Sequence, residues 1–395
     1  MGAEFTDPIS TRWGDENDIA EPDAKLPPES VTSSDYLTSQ DNFGTIERGD
    51  PLPYKIPRER RLEIGLERET WRLEVVADPV SDTILESPLS IEGGTALDFD
   101  ALIELGKKHG VQYLKGITCN NTQWPLGMGL WEGVPLRVVV WMTRPVNNLR
   151  RVFYYGYHND DPEQMFRSSL PIGRVLEDPP GELPVILCYK LNGEYLSGKR
   201  GGPVRMLIPD AYGFKSVKWL QRVVLTNNAY ANDTYALWNN DVDSTMKSFA
   251  RFSNVPTELR ANEPFKIAGK AQVGVSGLRH VQFWLSPADT MLPGDDPHFT
   301  RAEWKNAEIL PWDGELPANR PGVPLHFDPT SGRPRKWPLR YTLVHWQAEI
   351  RGVVAGNYNL RCRTIDLNGI PQPMPRPFAR SGRVGIETVR LRVEA

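Results

Sequence analysis

Cysteine is scarce in this chain: three residues in 395, at positions 119, 188 and 362. Their scatter leaves no disulfide framework, and the lack of any C-x-x-C or C-x-x-C-H argues against a zinc ribbon or c-type haem. Six histidines are present, and His109, His280, His298, His326 and His345 show no metal-ligand spacing. No run approaches the ~20 apolar residues that span a bilayer. Charge is nearly balanced, with a formal net of -4, which gives no general pull towards nucleic acid or an anionic membrane. The opening M-G-A-E-F has neither a basic n-region nor an apolar h-region, so an export signal is expected to have been removed or never to have existed. An internal repeat and a flavin fingerprint are also missing.

What remains is a globular composition, 39% hydrophobic and 24% charged, in a chain long enough for two domains. Gly 33 and Pro 35 point to many turns and much sheet. Residues 1–40 are acidic, rich in Pro and Ser and without apolar periodicity, and read as an extended arm. Residues 41–250 alternate strands with short helices. In D-F-D-A-L-I-E-L-G-K-K-H-G, Asp98 is placed to cap an amphipathic helix and Gly110 to stop it. W-E-G-V-P-L-R-V-V-V-W-M suits a buried segment, R-R-V-F-Y-Y-G-Y a strand, and P-V-I-L-C-Y-K-L-N-G-E-Y-L a strand closing on an Asn192-Gly193 turn. Residues 251–395 show short alternating strands with turn residues every ~8–12 positions, the spacing of an antiparallel β-sandwich. Between Pro287 and Pro338 a long polar insertion is expected to cover a neighbour or an interface. The expected fold class is α+β.

Two stretches carry candidate chemistry. V-Q-Y-L-K-G-I-T-C-N-N is a strand running into a loop beside Asn120 and Asn121. Cys119 there can be a nucleophile, a redox switch, a soft metal ligand or a small buried hydrophobe. In G-K-R-G-G-P-V-R the guanidiniums of Arg200 and Arg205 flank the Gly201-Gly202 pair, and Lys215, Ser216, Val217 and Lys218 follow. Such a cluster is either an anion site or a solvated strand edge. Cys188 and Cys362 lie in apolar strands and read as core; Tyr154, Tyr155 and Tyr157 either line a pocket or, as alternating strand residues, belong to the core.

Taken together, three segments resemble the sulfite oxidase family of molybdenum enzymes. The cysteine segment continues into L-G-M-G-L-W-E-G-V-P-L, similar to the family's Trp-x-Gly-x-x-Leu block. L-N-G-E-Y-L-S-G-K-R-G-G-P-V-R-M-L-I-P-D-A-Y-G-F-K-S-V-K-W-L is similar to its Asn-Gly turn, Gly-x-Pro-x-Arg and Val-Lys-Trp sequence. R-T-I-D-L-N-G-I-P-Q-P resembles its C-terminal domain. The resemblance covers roughly residues 40–395. It implies a molybdopterin domain followed by an immunoglobulin-like β-sandwich that dimerises. It implies Cys119 as molybdenum ligand, and Thr45, Arg48, His158, Arg200, Arg205, Lys215, Ser216, Val217 and Lys218 around the cofactor. Arg48, Arg167 and His158 join Cys119 as candidate catalytic groups.

The chain also departs from the family. Glu47, Arg48 and Gly49 stand where sulfite-oxidising members have Arg-Asn-His. Phe166 replaces a tyrosine, with Arg167 beside it to offer charge. Arg200 replaces a histidine, and the arginine pair after the cysteine is missing from a shortened loop. Sulfite is an anion that asks for converging cations, so these changes bear on substrate more than on metal. The resemblance implies a molybdenum oxidoreductase transferring oxygen on a small sulfur compound, with electrons passing to or from an external carrier such as cytochrome c. The alternatives are a sulfoxide or other S- or N-oxide reductase of the same family, a cofactor-bearing subunit without turnover, and a plain two-domain binding protein. A homodimer and a bacterial periplasmic location are also implied.

Overall fold

The computed structural model describes residues 36–395 apart from 48, 120, 121, 123, 147, 162–164, 235–241, 292, 293, 297, 298 and 373–383. Most of the expected arm, together with Arg48, Asn120, Asn121 and His298, therefore lies outside the described residues.

A short helix α1 (Arg58–Glu63) precedes β1 (Arg72–Ala77) and β2 (Leu97–Asp98). Helix α2 (Phe99–His109) starts where the Asp98 side chain accepts the Ala101 N–H at 2.8 Å and ends at Gly110, whose N–H returns to the Gly106 carbonyl. Both ends thus satisfy backbone groups a helix leaves orphaned, as the sequence signals required. Strands β3 (Val111–Ile117) and β4 (Gly127–Pro135) pair antiparallel. The expected single segment through residue 142 instead splits at Pro135, which cannot donate to a ladder but caps helix α3 (Leu136–Met142). Then come β5 (Arg151–Gly156), β6 (Phe166–Pro171), α4 (Ile172–Leu176), β7 (Ile186–Leu191), β8 (Glu194–Tyr195), β9 (Arg205–Leu207) and β10 (Leu220–Thr226).

These strands build two sheets, in the orders β2-β1-β10-β5-β6 and β3-β4-β7-β8, with β9 added to β7. One apolar core joins them: Leu73, Val75, Val223 and Leu225 from the first meet Val134, Leu187, Tyr189 and Met206 from the second. Cys188, at the heart of β7, is part of the neighbouring cluster with Tyr113, Trp131 and Leu207.

The third sheet holds β11 (Phe249–Asn254), β12 (Leu259–Arg260), β13 (Phe265–Gln272), β14 (His280–Pro287), β15 (Lys305–Ile309), β16 (Leu343–Ile350), β17 (Gly356–Ile365) and β18 (Glu387–Glu394). Its order is β11-β13-β16-β15-β14-β17-β18-β12. It curls on itself around Phe252, Ile267, Val281, Trp346, Leu360 and Cys362, so its interior is sandwich-like although it is one continuous sheet. The join is β15, from inside the polar insertion: Val281 pairs with Ala307 on one side, and Ile309 with Trp346 on the other. The rest of the insertion packs Trp312 and Phe327 against Leu114, Met128 and Leu130, with Tyr36 stacked on Trp312 at 4.8 Å. It covers the β3–β4 sheet, as its length suggested.

Candidate functional site

Cys119 is presented by the exit of β3, and the backbone on either side is pinned. The Thr118 carbonyl accepts the Gly213 N–H at 2.8 Å, and the Thr118 hydroxyl donates to Gln272 on β13. Glycine is required at 213, because a Cβ there would lie 2.9 Å from Ile117 Cγ2. The Cys119 carbonyl accepts from the N–H and the hydroxyl of Thr122, at 3.2 and 3.0 Å. Held this way, Cys119 lines a cleft with about 700 Å³ of empty space, mouth included. Cys188 and Cys362 line no part of it. Burial pushes the Cys188 thiol up to about 12 and the Cys362 thiol well above its ordinary value; both are inert core residues.

Two buried guanidiniums line the same cleft as Cys119. Arg200 ends a tight turn (Gly198–Arg200) that the left-handed Gly201, φ 95°, allows to reverse. Its Nη1 donates to the Gly44 carbonyl at 2.9 Å and its Nη2 to the Thr45 hydroxyl, with Phe43 beneath the plane. Arg205, first residue of β9, donates to the carbonyls of Arg200 and Ser216 at 3.0 and 2.8 Å and lies over the Trp131 ring. Burial lowers the pKa of both, that of Arg205 to about 10, so both remain cations at neutral pH. Among the described residues neither forms an ion pair, and the Nε of each is buried with no hydrogen-bond partner. A buried cation without a counter-charge is costly, and an anion in the cleft would supply that charge. Ser216, Lys218 and His158 also line it, and Ser216 Oγ accepts the Ile208 N–H at 3.1 Å. A soft sulfur, two guanidiniums with spare N–H groups and a glycine pair fit a metal carried on a phosphate-bearing pterin dithiolene.

Other residues expected at the site are elsewhere. Lys215 turns into the protein, where its ammonium meets Asp233 at 2.6 Å and the Ser169 carbonyl at 3.0 Å. Only two residues separate it from Lys218, but Lys215 sits in the turn Gly213–Lys215 and points the other way. The Val217 side chain packs in the core between the first two sheets. Thr45 is spent on Arg200. Arg167 is exposed on β6 while Phe166 faces the cleft; strand alternation sends neighbours to opposite faces, so this arginine brings no charge to the pocket. Glu47 points out and accepts the Tyr54 hydroxyl at 2.8 Å. Arg48 lies outside the described residues. Of the tyrosines, Tyr154 is core and Tyr157 reaches the cleft. Phe43, Leu126, Phe214 and Trp219 line it unannounced; only Trp219 carried a signal, as the end of Val-Lys-Trp.

The cleft and the sheets around it define a molybdopterin-binding oxidoreductase domain. The family model described as the oxidoreductase molybdopterin binding domain matches residues 66–234, and that match together with the relatives and the fold supports a sulfite oxidase-family molybdopterin oxidoreductase, with molybdopterin carrying molybdenum as its cofactor. Rat mitochondrial sulfite oxidase is 26% identical over 222 residues, 54% of this chain and 37% of that protein. The NADPH nitrate reductase of Beauveria bassiana is 28% identical over 131 residues, 33% of this chain and 14% of that protein. The chain thus spans well under half the length of these curated relatives. In fold, the sulfane dehydrogenase SoxCD from Paracoccus pantotrophus is similar with a TM-score of 0.56 at 18% identity, covering 84% of this chain and 79% of that one.

Proposed function

We propose that this protein is a molybdenum oxidoreductase acting by oxygen-atom transfer on a small, neutral sulfur compound of the thioether or sulfoxide class. The observation that carries the reading is the make-up of the cleft around Cys119. Its two buried guanidiniums, Arg200 and Arg205, carry uncompensated charge suited to the pterin phosphate, Lys218 and His158 add to its lining, and much of the remaining wall is apolar: Ile46, Leu126, Tyr157, Phe166, Phe214 and Trp219. Phe166 offers no hydroxyl and Arg167 faces away, so beyond the two arginines only Lys218 and His158, among the described residues, are left to gather around a sulfite anion.

Bound in the cleft, molybdenum on its pterin dithiolene supplies two-electron oxygen-atom transfer. The Cys119 thiolate would hold the metal, and its pinned backbone fixes where that sulfur can stand. Arg200 and Arg205 would clasp the phosphate. The aromatic wall excludes water and offers a neutral substrate a surface matching its own polarity. The resemblance supports the further parts of the reading: an external electron carrier such as cytochrome c, a homodimer through an immunoglobulin-like domain at 251–395, a cofactor domain at 41–250 and a periplasmic location.

Protein from a cofactor-competent host should hold one molybdenum and one pterin per chain, and Cys119→Ser should lose the metal. With artificial electron carriers, turnover of dialkyl sulfoxides or thioethers should exceed that of sulfite. Absence of molybdenum would overturn the assignment. Full metal loading with no turnover on any S- or N-oxide would leave only the role of a cofactor-bearing subunit.

A further inference from the structure

Away from the Cys119 cleft, a second cavity with about 1220 Å³ of empty space, mouth included, opens where β3, the third sheet and the insertion meet. Four cations converge on it, Arg279, Arg335, Lys336 and Arg340, and no carboxylate is among its lining residues. Arg340 is paired with Glu182. Asp328, the acid near Arg335, is tied by the backbone N–H groups of Thr330 and Ser331. Arg279 and Lys336 hold no ion pair among the described residues. Beneath this rim the floor is apolar, built from Tyr113, Leu278, Leu325 and Trp337. Two lining residues, His326 and Tyr341, sit in the left-handed region at φ 69° and 67°. Side-chain-bearing residues pay for that conformation, which concentrates at ligand sites. Here backbone hydrogen bonds hold it: the His326 carbonyl accepts the Arg335 N–H, the Tyr341 N–H donates to the Val273 carbonyl and the Tyr341 carbonyl accepts the Gly116 N–H.

We propose that this interdomain cavity binds an amphiphilic organic anion, an aliphatic or aromatic body carrying a carboxylate, sulfonate or phosphate head. The head lies among Arg279, Arg335 and Lys336 at the mouth, and the body lies on the leucine and aromatic floor. A cationic rim alone would suit any anion, and an apolar floor alone any hydrocarbon; one ligand with both properties satisfies both surfaces. The site uses no residue of the Cys119 cleft, so it stands whether or not molybdenum is bound.

Titration calorimetry with decanoate, and fluorescence titration with 8-anilinonaphthalene-1-sulfonate, test this on the full chain. Each should bind at one site per chain, and decanoate should displace the fluorophore. Arg279→Gln with Lys336→Gln replaces two exposed, unpaired cations, so the fold should persist by circular dichroism while affinity for decanoate falls about tenfold or more. Decan-1-ol, of the same body without the charge, should bind about tenfold more weakly than decanoate, and added salt should narrow that gap. Failure to saturate, affinity unchanged in the double variant, or equal binding of decanol and decanoate would each overturn the proposal.

Discussion

Lys215→Met separates structural burial from cofactor binding at a residue the sequence placed among the pterin contacts. The side chains of Lys215 and Asp233 are each 1% exposed, with Nζ and Oδ1 2.6 Å apart. Burial lowers the lysine's pKa and the Asp233 carboxylate opposes that shift. Methionine keeps the length and apolar stem but removes the charge and the bond to the Ser169 carbonyl at 3.0 Å. Breaking a buried ion pair from one side costs about 3–5 kcal/mol, because the remaining charge is left uncompensated. Asp233 would keep the hydroxyls of Ser168 and Ser169 as donors, which sets the expected cost at the lower end, about 3 kcal/mol. Chemical denaturation followed by tryptophan fluorescence measures it. Adding Asp233→Asn removes the stranded charge and should return about 2 kcal/mol, a coupling only contacting residues show. Molybdenum content per folded chain should match that of the parent protein. A loss of molybdenum at unchanged stability would refute this reasoning and restore Lys215 to the cofactor.

Gly201→Ala should cost about 2 kcal/mol or more: the left-handed backbone disfavours a Cβ, and that atom would lie 2.7 Å from Lys218 Cβ; denaturation midpoints would show it, and a change below about 0.5 kcal/mol would count against the turn geometry. Lys115, fully buried on β3, has its pKa lowered by burial to about 7 from 10.5. Between those values the unfolded chain binds a proton the folded one does not, so stability should rise with pH across that window. Lys115→Met should abolish that rise, making its stability relative to the parent fall from pH 6.5 to 9.5 by an amount of order 2–4 kcal/mol; parallel pH profiles would contradict it. Phe166→Tyr keeps the ring in the cleft, so stability should change by less than about 1 kcal/mol, while the ratio of sulfite to sulfoxide turnover should rise.

The parts of this structure legible in the sequence are those fixed by local chemistry or a dense motif. Helix α2 announced both ends, because Asp98 and Gly110 do their work within a turn of themselves. Cys119 at a strand exit was legible because an apolar run and the block after it constrain one position. β15 was not: K-N-A-E-I is half polar, and what makes it a strand is two partners far away in sequence, His280–Pro287 and Leu343–Ile350. That strand turns the expected sandwich into one curled sheet. At the site the errors were of direction. Phe166 and Arg167 are neighbours on opposite faces of a strand, and Lys215 lies inside a tight turn that Lys218 has already left. Listing basic residues near a motif gives the count of charges without saying which way any of them points.

Direction and pairing together decide the charge of the cleft. Lys215 is neutralised by Asp233 and contributes nothing outwards. Arg200 and Arg205 are held by carbonyls of residues 44, 200 and 216 and by the Thr45 hydroxyl, all uncharged acceptors. Carbonyl acceptors position a guanidinium without cancelling it, so two full charges stay available at the price of their desolvation. An anion in the cleft would offset that cost, and the arrangement also ties the 198–201 turn to the 213–216 turn that pins Cys119. An anion drawn to these arginines therefore presses on the same backbone that presents the sulfur. Cofactor capture and placement of the metal ligand are one mechanical unit, so loss of Arg205 should disturb the Cys119 thiol's reactivity towards alkylating reagents even in metal-free protein.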